Sequence, residues 1–275
     1  AERTGGIIEP LPKLQWWVDV EKPFVVPHSE IPGIASGESV SLKELMVKAA
    51  EQGGIQFVTE RFEKQYLHWA KNLRPWCISR QIWFGHRIPV WYRGEELFCA
   101  TSAPEGEGWE QDNDVLDTWF SSGLWTFTPL GWPNATDDLK QYHPTTLIET
   151  GYDILPFWVA RMILMSGFFL GQVPFKTIYF HGLVRDGQGR KISKSLGNNI
   201  DPVDMADKYG MDAIRISLIA GMAPGTDSRI SEDKIRGNKH FANKRWNISR
   251  FVLTSLGDAT PSDETKLTID DNALL

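Results

Sequence analysis

The stretch TIYFHGLVRDGQGRKISKSLGNNIDP, Thr177 to Pro202, decides the fold. It opens on a run, Thr177–Val184, dominated by β-branched and aromatic residues, which predicts a strand. It closes where Asp201 is placed to cap a helix and Pro202 to take its first position. Between them is a loop punctuated by Gly187, Gly189 and Gly197 that carries Arg190, Lys191 and Lys194, with Ser193 and Ser195 interleaved. Lysines supply point charges and hydroxyls supply donors, so a loop of this kind at a strand end suits phosphate oxygens. A solvated basic hairpin is the plain alternative, because Lys, Ser and Gly are ordinary loop residues.

Upstream, Thr145–Thr150 predicts a second strand, and after the turn Glu149–Asp153 an apolar helix follows over Ile154–Leu170. Two strand–helix units, Thr145–Leu170 and Thr177–Gly221, alternate as a parallel α/β sheet does. Ligands of such sheets bind beyond the carboxyl ends of the strands, and the loops Glu149–Asp153 and Arg185–Asn199 both fall at that edge. Ile154 and Trp158 are four apart and share a face of the expected helix, whose first turn tolerates Pro156. Core packing is the plain reading of such a pair.

At 275 residues, 41% apolar and 23% charged, the chain has the composition of a soluble globular protein with one large core or two domains. A net charge of −6 excludes a general polyanion-binding surface, so RNA contact has to come from local basic patches. Twelve tryptophans point to aromatic packing or stacking surfaces. Cys77 and Cys99 form no C-x-x-C pair; they are expected as buried thiols in a reducing cytoplasm, with no disulfide framework and no metal site. The apolar run to Leu170 is short for a membrane span and holds Pro156 and Arg161, so it is expected as a core helix with no membrane partner. No secretory leader pattern opens the chain, and Gly5–Pro10 reads as a strand end within a longer polypeptide.

Residues 1–30, rich in proline, are expected to be extended. Ser41 and Glu44 form a capping box for a helix to Gln52, with Leu42, Leu45, Met46 and Ala49 on one face. A second helix runs from Arg61, with Phe62, Tyr66 and Trp69 facing one way. Ala100–Asp114 is a loop, and residues 126–144 a turn-rich surface excursion. Helices are expected over Val203–Tyr209, ended by Gly210, and from a cap at Asp212 to Ala220. From Lys234 to Arg250 six basic residues (Lys234, Arg236, Lys239, Lys244, Arg245, Arg250) occur with no acid; a solvated helix face is the default reading.

Lys191-Ile192-Ser193-Lys194-Ser195 resembles the KMSKS signature of class I aminoacyl-tRNA synthetases, with Ile192 where Met is usual. The flanks, His181–Asp186 and Gly197-Asn198, resemble the same family. Trp76-Cys77-Ile78-Ser79-Arg80-Gln81 through Gly85-His86-Arg87-Ile88-Pro89 nearly repeats a run of the valyl branch, with Phe84 in place of Trp. Asp114–Ser122 matches its DVLDTWFSS block and Glu149–Ile154 its ETGYDI block, although Pro156 stands where an aromatic is usual. Isoleucyl relatives would read DQHRGW where this chain has Asp153–Trp158, so isoleucine is the disfavoured alternative.

The resemblance implies a fold and a reaction. The fold is the second half of a Rossmann-like catalytic domain (residues 13–205), preceded by the exit strand of an editing insertion (1–12). Stem-contact helices (206–236) and the start of an anticodon-binding helix bundle (237–275) follow. The reaction is ATP-dependent attachment of valine to tRNA(Val) through valyl-adenylate, with ATP and Mg2+ as substrate and a monomeric cytoplasmic enzyme. Lys191, Ser193, Lys194 and Ser195 would serve the phosphates. Gly151, Asp153, His181, Gly182, Leu183 and Val184 would bind the nucleotide with Lys194. Trp119, Asp153, Ile154 and Trp158 would hold the amino acid, Arg80 and Arg87 would be wall or RNA-facing groups, and the six basic residues would meet tRNA phosphates. The family's HIGH motif is absent from these residues, so the chain alone is expected to be inactive. A silent tRNA-binding protein and a nucleotidyltransferase with a generic phosphate loop are the alternatives from other classes.

Overall fold

A computed structural model describes residues 5–193 and 196–257. Those residues form two compact units, one of residues 5–183 with Ala223–Thr226 and one of Val184–Met222 with 227–257.

The first unit is built on a three-stranded parallel sheet of β1 (Gln56–Phe57), β2 (Thr145–Gly151) and β3 (Phe175–His181), with β3 in the middle. Registers pair Gly151 with His181 and Ile178 with Phe57. The central strand buries Phe175, Ile178 and Phe180, as a strand covered on its faces should. Five helices follow in chain order: α1 (Leu42–Glu51), α2 (Glu60–Lys71), α3 (Thr118–Ser122), α4 (Asp137–Tyr142) and α5 (Ala160–Leu170). The α1 capping box forms as expected, with the Glu44 amide donating to Ser41 Oγ at 3.2 Å and the Ser41 amide to the Glu44 carboxylate at 2.7 Å. Leu45, Met46, Phe62, Tyr66, Met162 and Ile163 fill the core, each such burial contributing roughly 1.5–3 kcal/mol before entropy. Gly167 lets α1 meet α5, since a Cβ there would stand 2.3 Å from Leu45 Cδ2. The Tyr66 hydroxyl donates to the Met46 carbonyl at 2.9 Å, and burial pushes its pKa up.

Several expectations need correction. The apolar run does not form one α-helix from Ile154: Tyr152–Ile154 is a 3₁₀ turn, Leu155–Val159 a π-helical turn, and α-helix begins at Ala160. The π-helical turn closes with the Ala160 N–H donating to the Leu155 carbonyl, and Pro156 sits in its first residues, where no N–H is needed. By length and composition Tyr152–Leu170 would pass for a membrane span, but half of it is buried and Met162–Gly167 pack inside this unit. Residues 126–144 are not a surface excursion throughout, because Phe127 is fully buried and packs edge-on to Trp132. Of the two cysteines, Cys77 is half-buried and Cys99 exposed.

The second unit holds α6 (Pro202–Tyr209), α7 (Met211–Ile219) and α8 (Glu232–Leu256), with a two-residue parallel pairing of Val184–Arg185 and Ser228–Arg229. Ala213, Ile214, Ile230 and Ile235 form its core. Asp201 caps α6 as expected, its carboxylate accepting the Val203 amide at 2.7 Å. Gly210, at φ +91°, is the N-cap of α7, and Asp212 sits in the first turn instead of capping it. The strand expected over Thr177–Val184 ends at His181, and Val184 belongs to this unit. Ser231 caps α8, which continues unbroken for 25 residues. The expected boundaries after residues 205 and 236 thus fall inside α6 and α8.

Candidate functional site

In the first unit the chemistry gathers at the carboxyl ends of β2 and β3. A Cβ added at Gly151 would lie 2.7 Å from Asp153 Oδ1 and 3.6 Å from both His181 Cε1 and Leu183 Cδ2. The Asp153 carboxylate thus folds back over the strand end, and a larger residue at 151 would displace it. Gly151, Asp153, His181 and Leu183 therefore converge, and buried Gly182 joins the last two. His181 Nδ1 donates to the Gly182 carbonyl at 2.8 Å, and Nε2 lies 3.5 Å from Glu149 Oε1. Glu149 was not singled out from sequence for any role of its own; its position two residues before the glycine on a parallel strand was the available signal.

The aromatic wall comes next. Trp119 lies on α3, which starts where buried Asp117 accepts the Trp119 amide at 3.3 Å. Trp119 stacks on Phe157 at 5.8 Å between ring centroids. The Trp158 indole N–H donates to the Ser122 carbonyl at 3.0 Å, so the π-helical turn and α3 are tied together through the two indoles. Ile154 is half-buried just before that turn. Trp158 is thus oriented by a hydrogen bond to α3, not by the α-helical spacing from Ile154 that the sequence suggested. Phe157, in contact with Trp119, was missed. Arg80 is no free wall group, because its guanidinium pairs with Asp117 at 2.9 Å. Arg87 donates to the carbonyls of Gln111 and Asp112 at 2.8–3.0 Å.

The second unit carries the lysine–serine loop. Lys194 and Ser195 lie outside the described residues. At its base, Asp186 is buried and accepts the amides of Gln188 (3.0 Å) and Arg190 (2.8 Å), the Arg190 guanidinium (2.8 Å) and the Asn198 side-chain amide (3.0 Å). The hydrogen bond from Asn198, then those from Arg190, hold its carboxyl well below the ordinary range. Asn198 also accepts the Ser193 amide at 2.9 Å and donates to the Lys191 carbonyl at 3.1 Å. Lys191 is exposed and bridges Arg185 in antiparallel fashion, while Ser193 is half-buried. Along α8, Arg236 pairs with Asp233 at 2.6 Å, and Lys239 lies 5.8 Å from the Tyr209 ring and donates to the Lys208 carbonyl. Lys234 is half-buried, and Lys244, Arg245 and Arg250 are exposed. Among the described residues no group of three or more His, Cys, Asp or Glu side chains is placed to hold a metal ion.

Residues 8–107 and 96–231 match the family model of tRNA synthetases class I (I, L, M and V). The chain belongs to this family. Valine–tRNA ligase of Geobacillus stearothermophilus is 50% identical over 265 residues, covering 94% of this chain and 28% of that protein. Its counterpart from Bacillus subtilis strain 168 is 48% identical over 271 residues, 97% of this chain and 29% of that protein. The chain thus spans little more than a quarter of the length of these class I relatives. A Mycobacterium tuberculosis methionyl-tRNA synthetase in complex with methionyl-adenylate superimposes with a TM-score of 0.66 at 22% identity, over 86% of this chain and 45% of that one. At that identity the likeness bears on the fold, which is the α/β fold of class I catalytic domains.

Proposed function

We propose that these residues contribute to the ATP-dependent attachment of valine to tRNA(Val) through valyl-adenylate. The observation that carries this reading is the tie between Trp158, just after the Asp153 turn, and α3, which carries Trp119. A pocket of these two indoles, with Ile154 assigned to it by the family resemblance, suits a branched aliphatic side chain and excludes larger ones by overlap; it discriminates poorly against an isostere that adds a hydroxyl. Asp153 holds the substrate ammonium or the nucleotide, and His181 and Leu183 with Gly151 flank the adenosine; Gly182 and Val184 are assigned to the nucleotide by the family resemblance alone.

The valine carboxylate attacks the α-phosphorus of ATP, the bond to the β-phosphate oxygen breaks, and pyrophosphate leaves. A terminal ribose hydroxyl of tRNA then attacks the adenylate carbonyl, and AMP departs. Neither step uses a side-chain nucleophile, so orientation and charge neutralisation supply the rate. Lys194 and Lys191, with Ser193 and Ser195, neutralise the phosphates of ATP, which arrives with Mg2+ as substrate. Lys234, Arg236, Lys239, Lys244, Arg245 and Arg250 meet tRNA phosphates in stem-contact and anticodon-binding regions, and residues 1–12 leave an editing insertion. The enzyme works in the cytoplasm as a monomer. Since these residues contain no HIGH sequence, the chain by itself does not catalyse adenylation. In the complete encoded protein, Trp119→Ala should raise the valine KM in ATP–pyrophosphate exchange by tenfold or more and leave the ATP KM unchanged. An unaltered valine KM would remove Trp119 from the pocket.

A further inference from the structure

α3 is five residues long and is held at both ends. At its start the buried Asp117 carboxylate uses Oδ1 for the Trp119 amide, and Oδ2 accepts from Arg80 at 2.9 Å and from the Trp76 indole N–H at 3.3 Å. Arg80 is itself fixed, donating to the carbonyls of Cys77 at 3.0 Å and Ser79 at 2.7 Å. The Trp76 ring lies 3.9 Å under the Arg161 guanidinium and 5.8 Å from Phe120, the neighbour of Trp119. At the end of α3, Ser122 accepts Trp158, and Gly123 is pressed onto α5: a Cβ there would stand 3.1 Å from Met165 Cγ and 3.4 Å from Arg161 Cβ. Arg161 is largely desolvated, which lowers its pKa to about 10, and its Nη1 is buried without a hydrogen-bond partner. The nearby negative charge of Asp117 opposes that lowering.

An ion pair with one partner buried and the other in contact with solvent adds little net stability. What this one supplies is a fixed position. We propose that Asp117 and Arg80 are positioning residues for amino-acid selection: they hold α3 so that the Trp119 indole closes the pocket at a depth suited to valine, although neither residue lines it. The proposal rests on the valine-activating reading above. Its chemistry is distinct from that reading, because the indole wall would exist, more loosely, without the ion pair.

The test uses the complete encoded protein, with Asp117→Asn, Arg80→Met and Arg80→Lys compared in ATP–pyrophosphate exchange with valine, isoleucine and threonine. Rates are normalised to active sites counted by the adenylate burst, so loss of folded protein does not enter. Asp117→Asn and Arg80→Met should raise the valine KM about tenfold, equivalent to about 1.4 kcal/mol, and change the ATP KM less than twofold. The preference for valine over isoleucine should fall in both, and Arg80→Lys should restore most of it. Normalised variants with unchanged valine KM and unchanged preference would overturn the proposal and leave the pair a purely structural element. Should Asp117→Asn fail to fold, Arg80→Met carries the same readings, since the Arg80 side chain is 39% exposed. If the natural protein activates a different amino acid, the valine reading fails, and the positioning role is judged on the KM for that amino acid. If it activates none, both fall.

Discussion

Asn198→Ala probes the lysine–serine loop without touching a lysine. The Asn198 amide accepts the Ser193 N–H at 2.9 Å and donates to Asp186 Oδ2 at 3.0 Å and to the Lys191 carbonyl at 3.1 Å. It thereby ties the two sides of the loop to the buried carboxylate at its base. Each such bond has a net worth of about 0.5–1.5 kcal/mol, and the half-exposed setting places these three at the low end. Together they amount to about 1.5 kcal/mol favouring the tied conformation. Exchange of the Ser193 amide with solvent deuterium, followed by NMR, should then accelerate about tenfold in the variant, since each 1.4 kcal/mol is a factor of ten. The Gln188 and Arg190 amides bind the other Asp186 oxygen and should change by less than threefold, which serves as the internal control. Acceleration of Ser193 by less than threefold would refute the idea that Asn198 sets the loop. Equal acceleration of all three amides would instead mean that the whole base had opened.

Trp158→Phe keeps an apolar ring but leaves the Ser122 carbonyl without its indole donor; it should weaken valine about fivefold in KM, or about 1 kcal/mol, and an unchanged KM would mean α3 holds without it. Gly167→Ala drives a Cβ into Leu45, so overpacking of about 1–3 kcal/mol outweighs the roughly 1 kcal/mol gained in helix propensity, and the urea midpoint should fall; a rise would show that Leu45 turns aside freely. Asp186 has a lowered carboxyl pKa in the fold, so it favours the folded form above its unfolded value of about 3.9 and loses that contribution as pH falls toward the folded one. Acid titration of Asp186→Asn should accordingly show a shallower loss of stability below about pH 4 than the natural protein, and parallel curves would contradict the assignment.

The elements that could be read directly were those with local punctuation. Ser41 and Glu44 announce α1, Asp201-Pro202 announces α6, and the β-branched run into His181 announces β3, because caps and strand alternation are set by neighbours in sequence. β1 was unreadable: Gln56-Phe57 is two residues long and is a strand only because β3 lies beside it. The π-helical turn was hidden for a related reason, as Pro156 signals a disturbed helix start but not which wider turn resolves it. At the candidate site the family resemblance singled out Trp119, Asp153, Ile154, Trp158 and His181; the structure brings Asp153 and His181 together beside Gly151 and ties Trp158 to α3, which carries Trp119. Asp117 was read only as part of the Asp114–Ser122 block, and Arg161 only as a charge within an apolar run. Their meeting through Trp76 depends on tertiary packing that no local pattern encodes.

The most direct measurement is the identity of the adenylate made by the complete encoded protein from ATP, Mg2+ and an equimolar mixture of amino acids, read by mass spectrometry after rapid quenching. The indole wall of Trp119 and Trp158 beside the Asp153 turn calls for valyl-adenylate as the dominant product. A dominant isoleucyl-adenylate, or no adenylate from a protein that still binds ATP, would contradict it.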